Sequence, residues 1–125
     1  MNKLIKTVSV NKLNYEFLHS MNGLLELTGR EVYLLSLLFD LYLNPIKTKR
    51  SRQNIDCAEN RKSVMLQTGV TKDNLSRYIK KYKAKGIFVK DQDNFYVINK
   101  ALVPILIGGK TIQITMILKA KEDEQ

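Results

Sequence analysis

Apolar residues recur at helical spacing through the first third of the chain and at alternate positions near its end. Leu13, Phe17, Met21 and Leu24 share one face of a helix over 13–25, with a stop expected near Asn22-Gly23. The preceding KLIKTVSV (3–10) reads as a short strand. In LTGRE (27–31), Thr28 followed three residues later by Glu31 forms a capping box. It opens a second helix running to about Leu43. Asn44-Pro45 ends that helix, because Pro45 pushes its predecessor out of the α region. Only Glu31, Ser36 and Asp40 interrupt its apolar surface, as a narrow polar stripe. A helix of this kind must be covered on most sides, by the domain's core or by a second copy of the chain.

IKTKRSRQN (46–54) reads as a polar loop. AENRKSVMLQTG (58–69) predicts a short helix with Val64 and either Met65 or Leu66 inward, closed by Gly69. Thr71 is a good N-cap for a further helix, and Gly86 stands where a C-terminal left-handed glycine belongs. IFVK (87–90), DQDN (91–94) and FYVIN (95–99) predict a β-hairpin. LVPILI, Gly108-Gly109 and KTIQITMIL predict a second hairpin over 102–119, with Ile112, Ile114, Met116 and Leu118 alternating with Thr111, Gln113, Thr115 and Ile117. The expectation is one α+β domain over 1–125, with its core in 28–100.

Charge locates what this pattern leaves open. Residues 1–46 are neutral overall, and residues 91–125 carry a net −1. Residues 47–90 hold thirteen basic and three acidic side chains, net +10. A field concentrated in the middle third attracts polyanions, of which nucleic acid is the commonest in a cell. Winding 71–85 at about 100° per residue puts Leu75, Ile79, Tyr82, Tyr78 and Thr71 on one face. Asp73, Arg77, Lys80, Lys81 and Ala84 lie opposite, flanked by Asn74 and Ser76. Base-reading side chains therefore cluster toward the helix N-terminus and phosphate-binding lysines follow. That arrangement suits a helix entering the major groove by its N-terminal end.

The stretch RKSVMLQTGVTKDNLSRYIKKYKAKGIFVKDQDNFYVIN (61–99) resembles a winged helix-turn-helix, with Gly69 in the turn, Val70 and Leu75 inward, Gly86 before the wing and 87–99 as the wing. LTGREVYLLSLL (27–38) is similar to the leading helix of multiple-antibiotic-resistance-type regulators and of small plasmid or phage replication proteins. YVINKALVPILIGG (96–109) is similar to the segment after the wing in the latter group. The resemblance covers about 28–107. It implies three or four helices with a wing and groove-facing Thr71, Lys72, Asp73, Ser76, Arg77 and Lys80; the C-terminal hairpin over 102–119 is additional to it.

Together these readings give Thr71, Asp73, Asn74, Ser76 and Arg77 as base-reading residues. Lys72, Lys80, Lys81 and Lys90, with an arm of Lys47, Lys49, Arg50 and Arg52, are expected on phosphates. The acidic wing tip, Asp91 and Asp93, is repelled by phosphate and is expected to stay out of the minor groove. Gly108-Gly109-Lys110-Thr111 is not a phosphate-binding loop: that motif needs glycine at Pro104 and a helix where the pattern alternates. His19 and Cys57 are single, with no triad, paired carboxylates or metal-ligand spacing nearby, so neither catalysis nor a cofactor is expected. With one cysteine, no signal peptide and no span long enough for a bilayer, the expected location is the cytoplasm.

The expected function is sequence-specific binding of double-stranded DNA as a transcriptional regulator or replication-initiation factor, with a homodimer through the second helix, the final hairpin, or both. The alternative is a non-enzymatic winged-helix module making protein contacts in a larger assembly, including a phage assembly. The sequence does not say whether a small-molecule effector binds.

Overall fold

The computed structural model describes residues 5–43, 54–103, 106–107, 111–112, 114 and 119–121. Among these, four α-helices run Leu13–Leu25 (α1), Gly29–Leu43 (α2), Ala58–Thr68 (α3) and Lys72–Ala84 (α4). Strands Phe88–Lys90 (β1) and Tyr96–Ile98 (β2) pair antiparallel, with Phe88 opposite Ile98 and Lys90 opposite Tyr96. Leu106–Ile107 (β3) and Thr111–Ile112 (β4) form a second antiparallel pair. The architecture is α+β.

The capping box forms as the spacing requires. The Thr28 N–H donates to Glu31 Oε1 at 2.8 Å, and the Glu31 N–H donates to Thr28 Oγ1 at 3.2 Å. The polar stripe of α2 does not face water, however. Glu31 and Ser36 are both buried, and only Asp40 is exposed. Ser36 satisfies its hydroxyl on the Tyr33 carbonyl, one turn back. Leu34 and Leu41 are buried in the chain's own core, while Leu37 is half-buried and Tyr33 is 42% exposed on the same helix.

Three other local expectations are corrected. Residues 5–9 form no strand, and a 3-10 turn at Val10–Lys12 leads into α1. Among the described residues no neighbouring strand receives this segment, and a lone strand has nowhere to place its backbone hydrogen bonds. Helix α1 passes through Asn22-Gly23 to Leu25 and ends on Glu26 in the left-handed region (φ 54°). Asn22 does not stop the helix. Its side-chain amide spans the connection, accepting from the Leu27 N–H and donating to the Leu27 carbonyl, both at 2.9 Å. The inward face of α1 is accordingly Phe17 and Leu18, with Leu24 52% exposed. Finally, Leu102 belongs to a 3-10 turn, Lys100–Leu102, so the second hairpin begins later than expected. Asn99 caps that turn on the Ala101 N–H.

The turn between α3 and α4 follows from Gly69 and Thr71. Gly69 closes α3 at φ 74°, where a Cβ would be strained. Thr68 Oγ1 accepts the Val70 N–H at 3.2 Å and fixes the turn. Thr71 Oγ1 then caps α4 on the Asn74 N–H. Val64, Val70, Leu75, Ile79 and Tyr82 carry α3 and α4 onto the core of α1 and α2, while Met65 is half-buried and Leu66 is 78% exposed. Gly86, also at φ 74°, turns the chain into β1. Between α2 and α3, Ile55 donates its N–H to the Tyr96 carbonyl at 2.9 Å, and Asn54 Oδ1 accepts the Tyr96 N–H at 3.2 Å. Residues 54–55 thus lie along the free edge of β2.

Candidate nucleic-acid interface

Helix α4 buries Leu75, Ile79 and Tyr82 and is anchored along both flanks. On one flank, Arg61 of α3 donates to Ser76 Oγ at 3.0 Å and also pairs with Asp56. Asp56 receives a second cation from α4, Lys83, at 2.7 Å, and the Lys83 ammonium sits 4.0 Å from the centre of the Tyr96 ring. On the other flank, Lys81 reaches the buried Glu31 carboxylate at 2.7 Å. Lys85 donates to the carbonyls of Leu25 and Glu26, at 2.8 and 3.3 Å, closing the C-terminus of α1. Below them the Tyr82 hydroxyl donates to the Glu31 carbonyl at 2.6 Å.

The carboxylates in these pairs respond to them. Burial pushes the Glu31 pKa up, but hydrogen bonds from Lys81 and Thr28 outweigh it and hold it below the ordinary value. Burial likewise acts upward on Asp56, and Arg61 with Lys83 brings it below the usual carboxylate range. Both groups are anionic at neutral pH. Much of the cationic charge of 61–85 therefore neutralises internal carboxylates or caps a helix.

What remains outward is a stripe of Asp73, Arg77, Lys80 and Ala84, all exposed, with exposed Thr71 and Lys72 at its N-terminal end. No hydrogen bond or ion pair ties Lys72, Asp73 or Lys80 to another described side chain. Arg77 donates to Asn74 Oδ1 on its own helix. Asn74 is half-buried and, with Glu31, Arg77, Tyr78 and Lys81, lines a shallow hollow.

The expected site is thus sorted by geometry. Asp73 and Arg77 share the exposed face of the N-terminal half of α4, with Lys72 and Lys80 also exposed, whereas Thr71 is the N-cap and its hydroxyl accepts the Asn74 N–H. Ser76 is half-buried and committed to Arg61, and Asn74 faces a flank. Lys81 is redirected inward, because an anionic Glu31 inside the fold requires a counter-charge. Lys90 is exposed at the end of β1, 5.6 Å from the Tyr96 ring centre. Lys47, Lys49, Arg50 and Arg52 lie outside the described residues. In the turn between β1 and β2, Asp91 Oδ1 accepts the N–H groups of Asp93 and Phe95, both at 2.9 Å, so this carboxylate shapes the turn. Asp93 is exposed.

Sequence reasoning missed Asp56, Arg61, Lys83 and Lys85 as anchors of α4. Asp56 was one of only three acids among 47–90, and that isolation within a basic region was the one available signal. Among the described residues no His, Cys, Asp and Glu group of three could hold a metal, and no helix is long and apolar enough to cross a membrane. Comparison with family models, with curated proteins and with solved structures finds no match to this chain.

Proposed function

We propose that this chain is a winged helix-turn-helix that binds double-stranded DNA, laying the N-terminal half of α4 in the major groove. One observation carries the reading: both flanks of α4 are pinned to the fold, leaving Asp73, Arg77 and Lys80 as an outward stripe. Arg pairs bidentately with guanine and Asp accepts from the cytosine amino group. Lys72 and Lys80, with Lys90 on the wing, supply phosphate contacts. The element order supports the fold assignment: α2, the Ile55 bridge to β2, α3, α4, then the β1–β2 wing. The role proposed is a non-enzymatic transcriptional regulator or replication-initiation factor. A homodimer through α2, the C-terminal hairpin or both belongs to the same proposal; Tyr33 of α2 and Ile114 are exposed apolar side chains.

Selection from a random duplex pool, followed by binding titrations over a salt series, tests this. A consensus site and an affinity that falls steeply with salt support it. Failure to bind duplex at 50 mM salt, a low-salt condition in which phosphate contacts are strongest, sinks it. A second reading, a module that makes protein contacts, draws on Val89 and Phe95, large apolar side chains exposed on the wing beside an acidic tip.

A further inference from the structure

Arg77 is the outward side chain best suited to reading a base, but it is long, exposed and rich in rotamers. Its guanidinium donates to Asn74 Oδ1, three residues earlier. Asn74 is itself well fixed: it is half-buried at the third helical position, and its backbone N–H is held by the Thr71 cap at 3.2 Å. One helical turn further on, Lys81 would crowd Arg77 with a like charge, but its ammonium is drawn down to Glu31 at 2.7 Å. Arg77 therefore lines a hollow together with Glu31, Asn74, Tyr78 and Lys81, with its guanidinium tethered to Asn74.

We propose that Asn74 is a positioning residue for Arg77 and not a base reader in its own right; this rests on the DNA reading above. A guanidinium has five N–H donors in a rigid fork. One bond to Asn74 fixes its plane and leaves a two-donor edge for the O6 and N7 atoms of guanine. Ordering the side chain before binding reduces the rotamer entropy lost on contact, which raises discrimination for the correct base.

The test uses the full chain and its selected duplex site, with base preference measured at every position for Arg77→Ala, Asn74→Ala and Asn74→Asp. Asn74→Ala keeps the Thr71 cap, which uses backbone atoms of residue 74, so an unchanged circular-dichroism melting curve identifies it as folded. Arg77→Ala and Asn74→Ala should relax the same base pair, each by about fivefold or more. Asn74→Asp keeps the acceptor oxygen and removes the amide donor. It should retain that preference within about twofold, while the added charge weakens binding to all sequences alike. Relaxation of a different base pair by Asn74→Ala, or loss of preference in Asn74→Asp, would make Asn74 a reader and overturn the proposal. An unchanged preference in Asn74→Ala would also overturn it, by showing that Asn74 does not act on Arg77. If Arg77→Ala relaxes the site and Asn74→Ala does not, the DNA reading stands and only the positioning role fails. If wild type selects no consensus, both fail.

Discussion

The Lys81 ammonium lies 2.7 Å from the Glu31 carboxylate, joining side chains fifty positions apart and tying α4 to the first turn of α2. Glu31 is only 4% exposed and also completes the capping box with Thr28. Lys81→Ala would leave that carboxylate without its counter-charge. Because the lysine end is 40% exposed, water compensates part of the loss, and we expect a destabilisation of about 1–2 kcal/mol. Denaturant unfolding measures it. A midpoint unchanged from wild type would show that the pair contributes nothing.

Lys80 and Lys81 are adjacent in sequence but are expected to behave oppositely. Lys80 is exposed with no partner among the described side chains, so Lys80→Ala should leave the melting temperature within error. It should weaken binding to cognate and random duplex alike and reduce the log–log salt slope by about one. Lys81→Ala should change stability and leave the slope nearly unaltered. Salt titrations of both variants decide this, and a slope change with Lys81→Ala alone would reverse the assignment.

The local grammar of the fold was legible in the sequence because its signals act over a few residues. The Thr28–Glu31 box, Gly69, the Thr71 cap and Gly86 each constrain one turn, and each appears where the spacing placed it. The buried face of α4 was equally readable from periodicity. Tertiary partners were not. Nothing local distinguishes Lys81, which meets Glu31, from Lys80, which meets water. Likewise Asn22 carries a helix-stop signal by type, but its side chain spans to Leu27 and the helix continues. The outward stripe could be narrowed only after the ion pairs on each flank had been located.

Those ion pairs imply a particular acid response. The folded-state pKa values of Glu31 and Asp56 lie below their ordinary values of 4.5 and 3.8. The unfolded chain therefore takes up these protons first as pH falls. The associated stability is fully present above the ordinary carboxylate values and is lost as pH drops through the lower folded-state values. Denaturant midpoints should be level above about pH 5 and fall below about pH 4, near the reference carboxylate range. Asp56→Asn and Glu31→Gln should start from lower stability and show a shallower decline. A wild-type decline as shallow as that of the double variant would exclude these pairs as its source.

Asp73 offers the sharpest separation of reading from attraction. It is the acidic member of the outward stripe, one turn before Arg77 on the exposed face. Near a phosphate backbone its charge is repulsive, but opposite a cytosine amino group the same carboxylate accepts a hydrogen bond. Asp73→Ala should thus strengthen binding to random duplex while weakening the preference for the selected site. A bidentate or charged base contact discriminates by about 1–3 kcal/mol, and we expect a loss of preference toward the lower end of that range for a single acceptor. The substitution also removes an acid from the first turn of α4, where it favours the helix dipole, so a small stability loss of about 0.3–1 kcal/mol should accompany it. Titrations against cognate and scrambled duplexes at one salt concentration provide the measurement. If Asp73→Ala strengthens binding to both equally, the carboxylate only repels, and the base contacts of α4 lie with Arg77 and the residues at its N-terminal end.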